Sequence, residues 1–194
     1  MKSTKIIAIT GGIGAGKSVV ASILRHAGFS VYDCDMRAKT LMNTSPSIRQ
    51  SLVEKFGKLI YCENGEVNKT VLSNIIFNDN DALAFVNSVV HPAVYDDIVQ
   101  WSHRQDKSPV FVETAILQES GLDAMVDEVW NVIAPVEIRI ERVIKRNATT
   151  RERVQERINA QQDRVKGINK KVVEIVNDGV TPLLPQVMNA VEMV

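Results

Sequence analysis

Cysteine is nearly absent: Cys34 and Cys62 are the only two in 194 residues. That excludes a disulfide framework and a cysteine-rich metal site, and it suits a reducing, cytoplasmic setting. Aromatic residues are also scarce, at 5%, so basic and aromatic side chains do not interleave as they do in surfaces that stack on single-stranded bases. Neither sign of charge prevails, with 23 basic residues against 23 acidic, which argues against a general nucleic-acid footprint. No apolar run approaches the length of a membrane-spanning helix. The short apolar stretch near the amino terminus is cut at once by Gly11 and Gly12 and lacks the length of a secretory signal. The expectation is a chain with neither nucleic acid nor membrane as partner, a monomer or weak homo-oligomer. Its length allows one lobed domain or two small ones.

What is present is concentrated in residues 6 to 18, Ile-Ile-Ala-Ile-Thr-Gly-Gly-Ile-Gly-Ala-Gly-Lys-Ser. A β-rich run leads into Gly, any four, Gly-Lys-Ser, followed by an apolar helical pattern through Val20, Ala21 and Leu24. The glycines let the backbone turn with its N–H groups inward, where phosphates can sit. Lys17 brings a mobile positive charge to the outer phosphates, and Ser18 offers a hydroxyl to Mg²⁺. A helix starting near Lys17 aims its positive end at the same anion. The reading is a site for a nucleoside triphosphate.

Apolar β-type runs recur at residues 5–10, 30–33, 109–113, 129–134 and 172–176, with helical patterns between them. This alternation predicts an α/β fold with a five-stranded parallel sheet covered on both faces. The first crossover helix, 17–28, should end at Gly28. The core is expected over 1–35 and 109–194. Residues 36–108 are too long for one crossover, and they are punctuated at Ser45-Pro46, Phe56-Gly57, Asn64-Gly65 and His91-Pro92. They read as a helical insertion at the rim of the sheet, with Pro92 opening a new helix at its first position.

Acidic candidates gather at predicted strand ends. Asp33 and Asp35 close the second strand and would share a face if extended geometry persists. A carboxylate there can take a proton from an attacking hydroxyl or hold a metal-bound water, or it can cap a helix beginning near Met36. Asp35 is the stronger candidate for chemistry; for Asp33 the two roles stay open. Glu113, ending the third strand, is a metal candidate or a surface acid. His91 is a core histidine or a phosphate contact.

Between Glu137 and Lys171 eleven basic residues face five acidic ones, a local charge of plus six. Ile140, Val143 and Ile144 form an apolar stripe, while Arg139, Arg142 and Arg146 share another. Asn147 to Thr150 reads as a break, with Thr149 and Glu152 as a capping box. Two arginine-rich helices with a polar break suit a lid over phosphates, at about 137–165. Arg142 and Arg146 are the phosphate candidates. Arg153, Arg157 and Arg164 read as a solvated face.

Taken in order, these pieces resemble the dephospho-CoA kinase family: Thr10 to Ser18, Asp33-Cys34-Asp35, Phe56-Gly57, His91-Pro92, Arg142 and Arg146, Gln161, and Asn177-Asp178-Gly179. The resemblance implies a three-layer P-loop fold with a helical acceptor-binding insertion and a helical lid. It implies transfer of the γ-phosphate of ATP to the 3′-hydroxyl of dephospho-CoA, completing coenzyme A. Asp35 would be the general base, with Lys17, Arg142 and Arg146 serving the transferred phosphate. ATP would lie on Gly12, Gly14, Ala15, Gly16, Lys17, Ser18 and Val19, with Asn177 near the adenine. Asp33, Lys39 and His91 would face the acceptor, and Ser18 with Glu113 the Mg²⁺. Three departures are Val19, where threonine is usual, Lys39, where arginine is common, and Asn169-Lys170-Lys171, where an Ala-Asp pair is usual. Outside the resemblance, a different small-molecule kinase or a non-catalytic nucleotide sensor would also account for the loop.

Overall fold

A computed structural model describes residues 4–160 and 165–194. Gln161 and Arg164, both singled out in the sequence, lie outside the described residues. The chain divides into two compact units, one made of the chain up to Asp33 together with Ser102–Val194, the other of Cys34–Trp101.

The first unit holds five parallel strands: β1 (Ile6–Thr10), β2 (Val31–Asp33), β3 (Val110–Glu113), β4 (Glu128–Ile133) and β5 (Lys171–Val176). Their order is β2-β3-β1-β4-β5. All five fall where the apolar runs predict them. Every residue of β1 is buried, so the central strand is covered on both faces, which is why its run is continuous rather than alternating. On one face α1 (Lys17–His26) and α8 (Leu183–Glu192) close a core around Ile7, Ile9, Leu24, Phe111, Trp130 and Val187. The Phe111 and Trp130 rings lie 5.0 Å apart within it.

The end of α1 explains the glycine after it. The Gly28 N–H reaches the Arg25 carbonyl and the Phe29 N–H reaches that of Leu24. This pairing requires a left-handed residue, and Gly28 has φ +85°. The first unit also carries α6 (Val136–Asn147) and α7 (Arg151–Ala160), joined through Ala148 at φ +47°. The break falls where expected, but the cap is Thr150 rather than Thr149. The Thr150 hydroxyl accepts from the Arg153 N–H, and the Thr150 carbonyl accepts from Val154.

The second unit contains α2 (Cys34–Thr44), α3 (Pro46–Phe56), α4 (Lys69–Asn78) and most of α5 (Asn80–His103). Ser45 caps α3, with Pro46 in its first turn, and Gly57 ends it at φ +83°. Asn64-Gly65 turns the chain so that Tyr61 bridges Val67. Arg37 on α2 donates two hydrogen bonds to Asp97 on α5, at 2.9 and 2.8 Å. The Arg49 guanidinium lies 4.0 Å from the Tyr61 ring centroid, and the Tyr61 hydroxyl donates to the Met42 carbonyl.

Two expectations fail here. Pro92 opens no helix; it sits inside α5. An interior proline costs roughly 3 kcal/mol, yet Ala82, Val86, Val90, Val94 and Ile98 are all buried at four-residue spacing. That stripe holds the helix together across the proline. Nor does the Asp33–Asp35 segment stay extended: β2 ends at Asp33 and α2 begins at Cys34, two residues earlier than expected. Asp35 is therefore a first-turn helical residue, where a carboxylate meets the positive end of the helix dipole.

At the amino-terminal edge of the sheet, Glu128 is 2% exposed and lies 3.2 Å from both the Lys5 and Lys171 ammonium groups. It also accepts a hydrogen bond from the Trp130 indole. Burial pushes the Glu128 carboxyl up, but the indole and the two lysines outweigh it and hold the group below the ordinary glutamate value. A depressed carboxylate stabilises the fold above its unfolded pKa and loses that contribution as pH falls through the folded value. Glu128→Gln should cost about 1–3 kcal/mol at neutral pH and flatten the acid limb of stability below roughly pH 4.3. Thermal denaturation across pH checks both; a variant whose acid limb matches the parent's refutes the assignment.

Candidate active site

The turn between β1 and α1 is narrow because other elements lie against it. A Cβ on Gly14, which has φ +76°, would come 2.5 Å from the Arg139 carbonyl oxygen; one on Gly16, at φ +100°, would overlap the Asn177 amide. Glycine meets both demands at once, tolerating positive φ and leaving room for the neighbour. Ala15 is buried, and its N–H donates to the Gly12 carbonyl at 3.1 Å.

Lys17 begins α1, and its ammonium donates to the carbonyls of Gly11 and Gly12, at 3.0 and 3.3 Å. The charge is thus stored over the loop. Ser18 and Val19, in the first turn of α1, are exposed, so the Ser18 hydroxyl is open to a ligand at the positive end of the helix.

The arginines of α6 divide into two groups. Arg142 donates to the Asn177 carbonyl and side-chain oxygen, at 3.1 and 3.2 Å. The Asn177 amide donates in turn to the Ala15 carbonyl at 2.8 Å. Asn177 follows β5 and is itself anchored by its N–H to the Ile133 carbonyl. Arg139 donates from Nε to the Ile13 carbonyl at 2.9 Å. Arg146 is exposed and turns to Asn147. So the structure brings Arg142 and Asn177 to the loop and leaves Arg146 in solvent. Arg139 and Ile13 are the residues that sequence reading undervalued. The available signal was Arg139's place one turn before Arg142 on the same helix face.

The loop is also attached to α6 and α7 through its side chain. Ile140, Val143 and Val154 form a small buried cluster, and Ile13 packs against it with Ile144 and Ile158.

At the carboxyl edge of the sheet, Glu113 stands in register with Asp33 on one side and Ile9 on the other. The Glu113 side chain is 13% exposed, and the Arg25 guanidinium lies 4.0 Å away. In the second unit Asp35 and Lys39 are exposed, one helical turn apart on α2. Burial holds the His91 imidazole below its ordinary pKa.

No three His, Cys, Asp or Glu side chains among the described residues are grouped to hold a metal ion. Ser18, Glu113 and Asp33, near the β1–α1 loop and the carboxyl ends of β2 and β3, carry hard oxygens. This set suits Mg²⁺, which takes few protein ligands and completes its shell with phosphate oxygens and water. Among the described residues, no helix is long and apolar enough to cross a membrane.

A parallel sheet with a Gly-x4-Gly-Lys-Ser loop leading from its central strand into a helix defines the P-loop class of nucleotide-binding folds. Comparisons narrow the class. The family model for dephospho-CoA kinase (CoaE) matches residues 5–182. A dephospho-CoA kinase of Porphyromonas gingivalis is 39% identical over 97% of this chain and 93% of its own. One from Bacteroides fragilis is 37% identical over 95% and 90%. A Thermus thermophilus crystal structure superposes with TM-score 0.83 at 30% identity, covering 99% of this chain and 98% of its own. The chain belongs to the dephospho-CoA kinase family. The same fold is seen at TM-score 0.55 and 14% identity in a shikimate kinase of Acinetobacter baumannii, covering 98% of this chain and 94% of that one.

Gly16→Ala should lower stability by at least about 1–2 kcal/mol, the cost of a left-handed non-glycine residue, because it also displaces Asn177 from Ala15. Ser18→Ala, at an exposed position, should leave the melting temperature within about a degree, in line with ~0.5 kcal/mol or less for a surface change. Parallel thermal melts check the contrast, and equal melting of the two variants would contradict the close packing of Asn177 on Gly16.

Proposed function

We infer that the protein transfers the γ-phosphate of ATP to the 3′-hydroxyl of dephospho-CoA, the last step in making coenzyme A. The family match over residues 5–182, on a chain whose glycine loop is intact, carries this reading. The nucleotide's phosphates would lie on Gly12, Gly14, Ala15, Gly16, Lys17, Ser18 and Val19. Lys17 would exchange the loop carbonyls for phosphate oxygens, a gain in charge complementarity.

Asp35 is proposed as the general base. It lies two residues past the carboxyl end of β2, the edge where open α/β sheets bind ligands. Its carboxylate would orient the acceptor hydroxyl and take the proton late in transfer. Asp33, Lys39 and His91 are proposed to contact the acceptor, within a second unit that serves as the acceptor-binding insertion. Arg142 adds charge beside the loop, and Arg146 would cover the transferring group as α6 and α7 act as a lid. Asn177 holds the loop and borders the nucleotide. Mg²⁺, with Ser18 and, through water, Glu113 as its protein donors, would offset charge on the outer phosphates. A cytoplasmic location and a monomer or weak homo-oligomer complete the proposal.

The test is purified protein with ATP, Mg²⁺ and dephospho-CoA, the product identified by a mass gain of one phosphoryl group. Asp35→Asn should reduce kcat by about 10²–10⁴, with the melting temperature lowered by no more than about 4 °C, the share of the lost helix-dipole contact. Near-normal turnover in that variant would remove Asp35 from the chemistry.

A further inference from the structure

Two peptide groups of the phosphate loop are held by side chains from outside it. The Ile13 carbonyl accepts from Arg139 Nε at 2.9 Å, and the Ala15 carbonyl accepts from Asn177 Nδ2 at 2.8 Å. A trans peptide is planar, with its N–H antiparallel to its C=O. Fixing the Ile13 oxygen toward α6 therefore fixes the Gly14 N–H away from α6. Fixing the Ala15 oxygen toward Asn177 likewise turns the Gly16 N–H away from Asn177. The loop is short and rich in glycine, so without such anchors its peptides could rotate at little cost.

Arg139 is the more closely fitted of the two anchors. Its backbone abuts Gly14, and its guanidinium lies where a Gly12 side chain would have to go. It straddles the loop from Gly12 to Gly14, with the Ile13 carbonyl as its acceptor between them. The same helix buries Ile140 and Val143 against the Ile13 side chain, so neither partner can shift without the other.

We propose that Arg139 is a positioning residue for the nucleotide: by pinning the Ile13–Gly14 peptide it presets the N–H array that receives the triphosphate. Preorganised donors cost no rearrangement when the anion arrives, so the benefit appears as affinity for ATP rather than for the acceptor. The inference rests on the loop's binding of ATP proposed above.

Three proteins test it: the parent, Arg139→Met and Arg139→Gln. Methionine removes the donor, whereas glutamine keeps an amide N–H of similar reach without the charge. Calorimetry with MgATP should show roughly tenfold weaker binding for Arg139→Met, the scale of one lost charge-assisted hydrogen bond, and less than about threefold loss for Arg139→Gln. The KM for dephospho-CoA should stay the same in both, a result that general damage to the fold would not produce. Equal affinity in all three proteins overturns the proposal, as does a glutamine variant as weak as the methionine one. A parent that does not bind MgATP would instead refute the functional reading on which the proposal rests.

Discussion

The site depends on how closely other backbone and side chains approach the β1–α1 turn. Gly14 faces the backbone of α6 and Gly16 faces Asn177 at the end of β5, so the loop is confined by two separate segments. The Ile13 and Ala15 carbonyls point outward to Arg139 and Asn177, which leaves the Gly14 and Gly16 N–H groups turned the other way. An anion site formed of backbone dipoles needs that division of labour. Charge enters from two sources, the dipole of α1 and the ammonium of Lys17.

The sheet separates its electrostatic tasks by edge. At the amino-terminal edge, Glu128 is enclosed by two lysines and an indole, so its charge is locally neutralised and serves the fold. At the carboxyl edge, Asp33 and Glu113 stand side by side on β2 and β3. The Arg25 guanidinium lies 4.0 Å from the Glu113 carboxylate at this edge. This is the edge at which the loop and the first turn of α1 emerge.

Much of the fold was legible because long-range burial leaves a plain trace. Continuous apolar runs marked the five strands, and the Ser45-Pro46 and Gly57 punctuation marked α3. Legibility failed where local preference and tertiary packing disagreed. Pro92 reads locally as a helix start, but a buried stripe from Ala82 to Ile98 overrides it. Asp33 and Asp35 read as an extended pair, but α2 starts at once after β2, and no spacing rule reveals so short a connection. In the site, the loop residues were readable from type and spacing alone. The division between Arg142 and Arg146 was not, because both lie on one stripe and only the partner Asn177, 35 residues away, distinguishes them. Arg139 was hidden for the same reason: its partner is a main-chain oxygen, which sequence does not advertise.

Ile13 has an outcome that reaches past nucleotide contacts. The apolar cluster of α6 and α7 consists of three buried side chains and three partly buried ones, and Ile13 is among the latter. So small a nucleus cannot offset the conformational entropy of two helices by itself. These helices therefore draw part of their order from the β1–α1 loop, through the Ile13 side chain together with the hydrogen bonds of Arg139 to Ile13 and of Arg142 to Asn177. At Ala148 the chain passes through a left-handed residue, and Val154, buried against Ile140 and Val143, carries the same cluster across that break into α7.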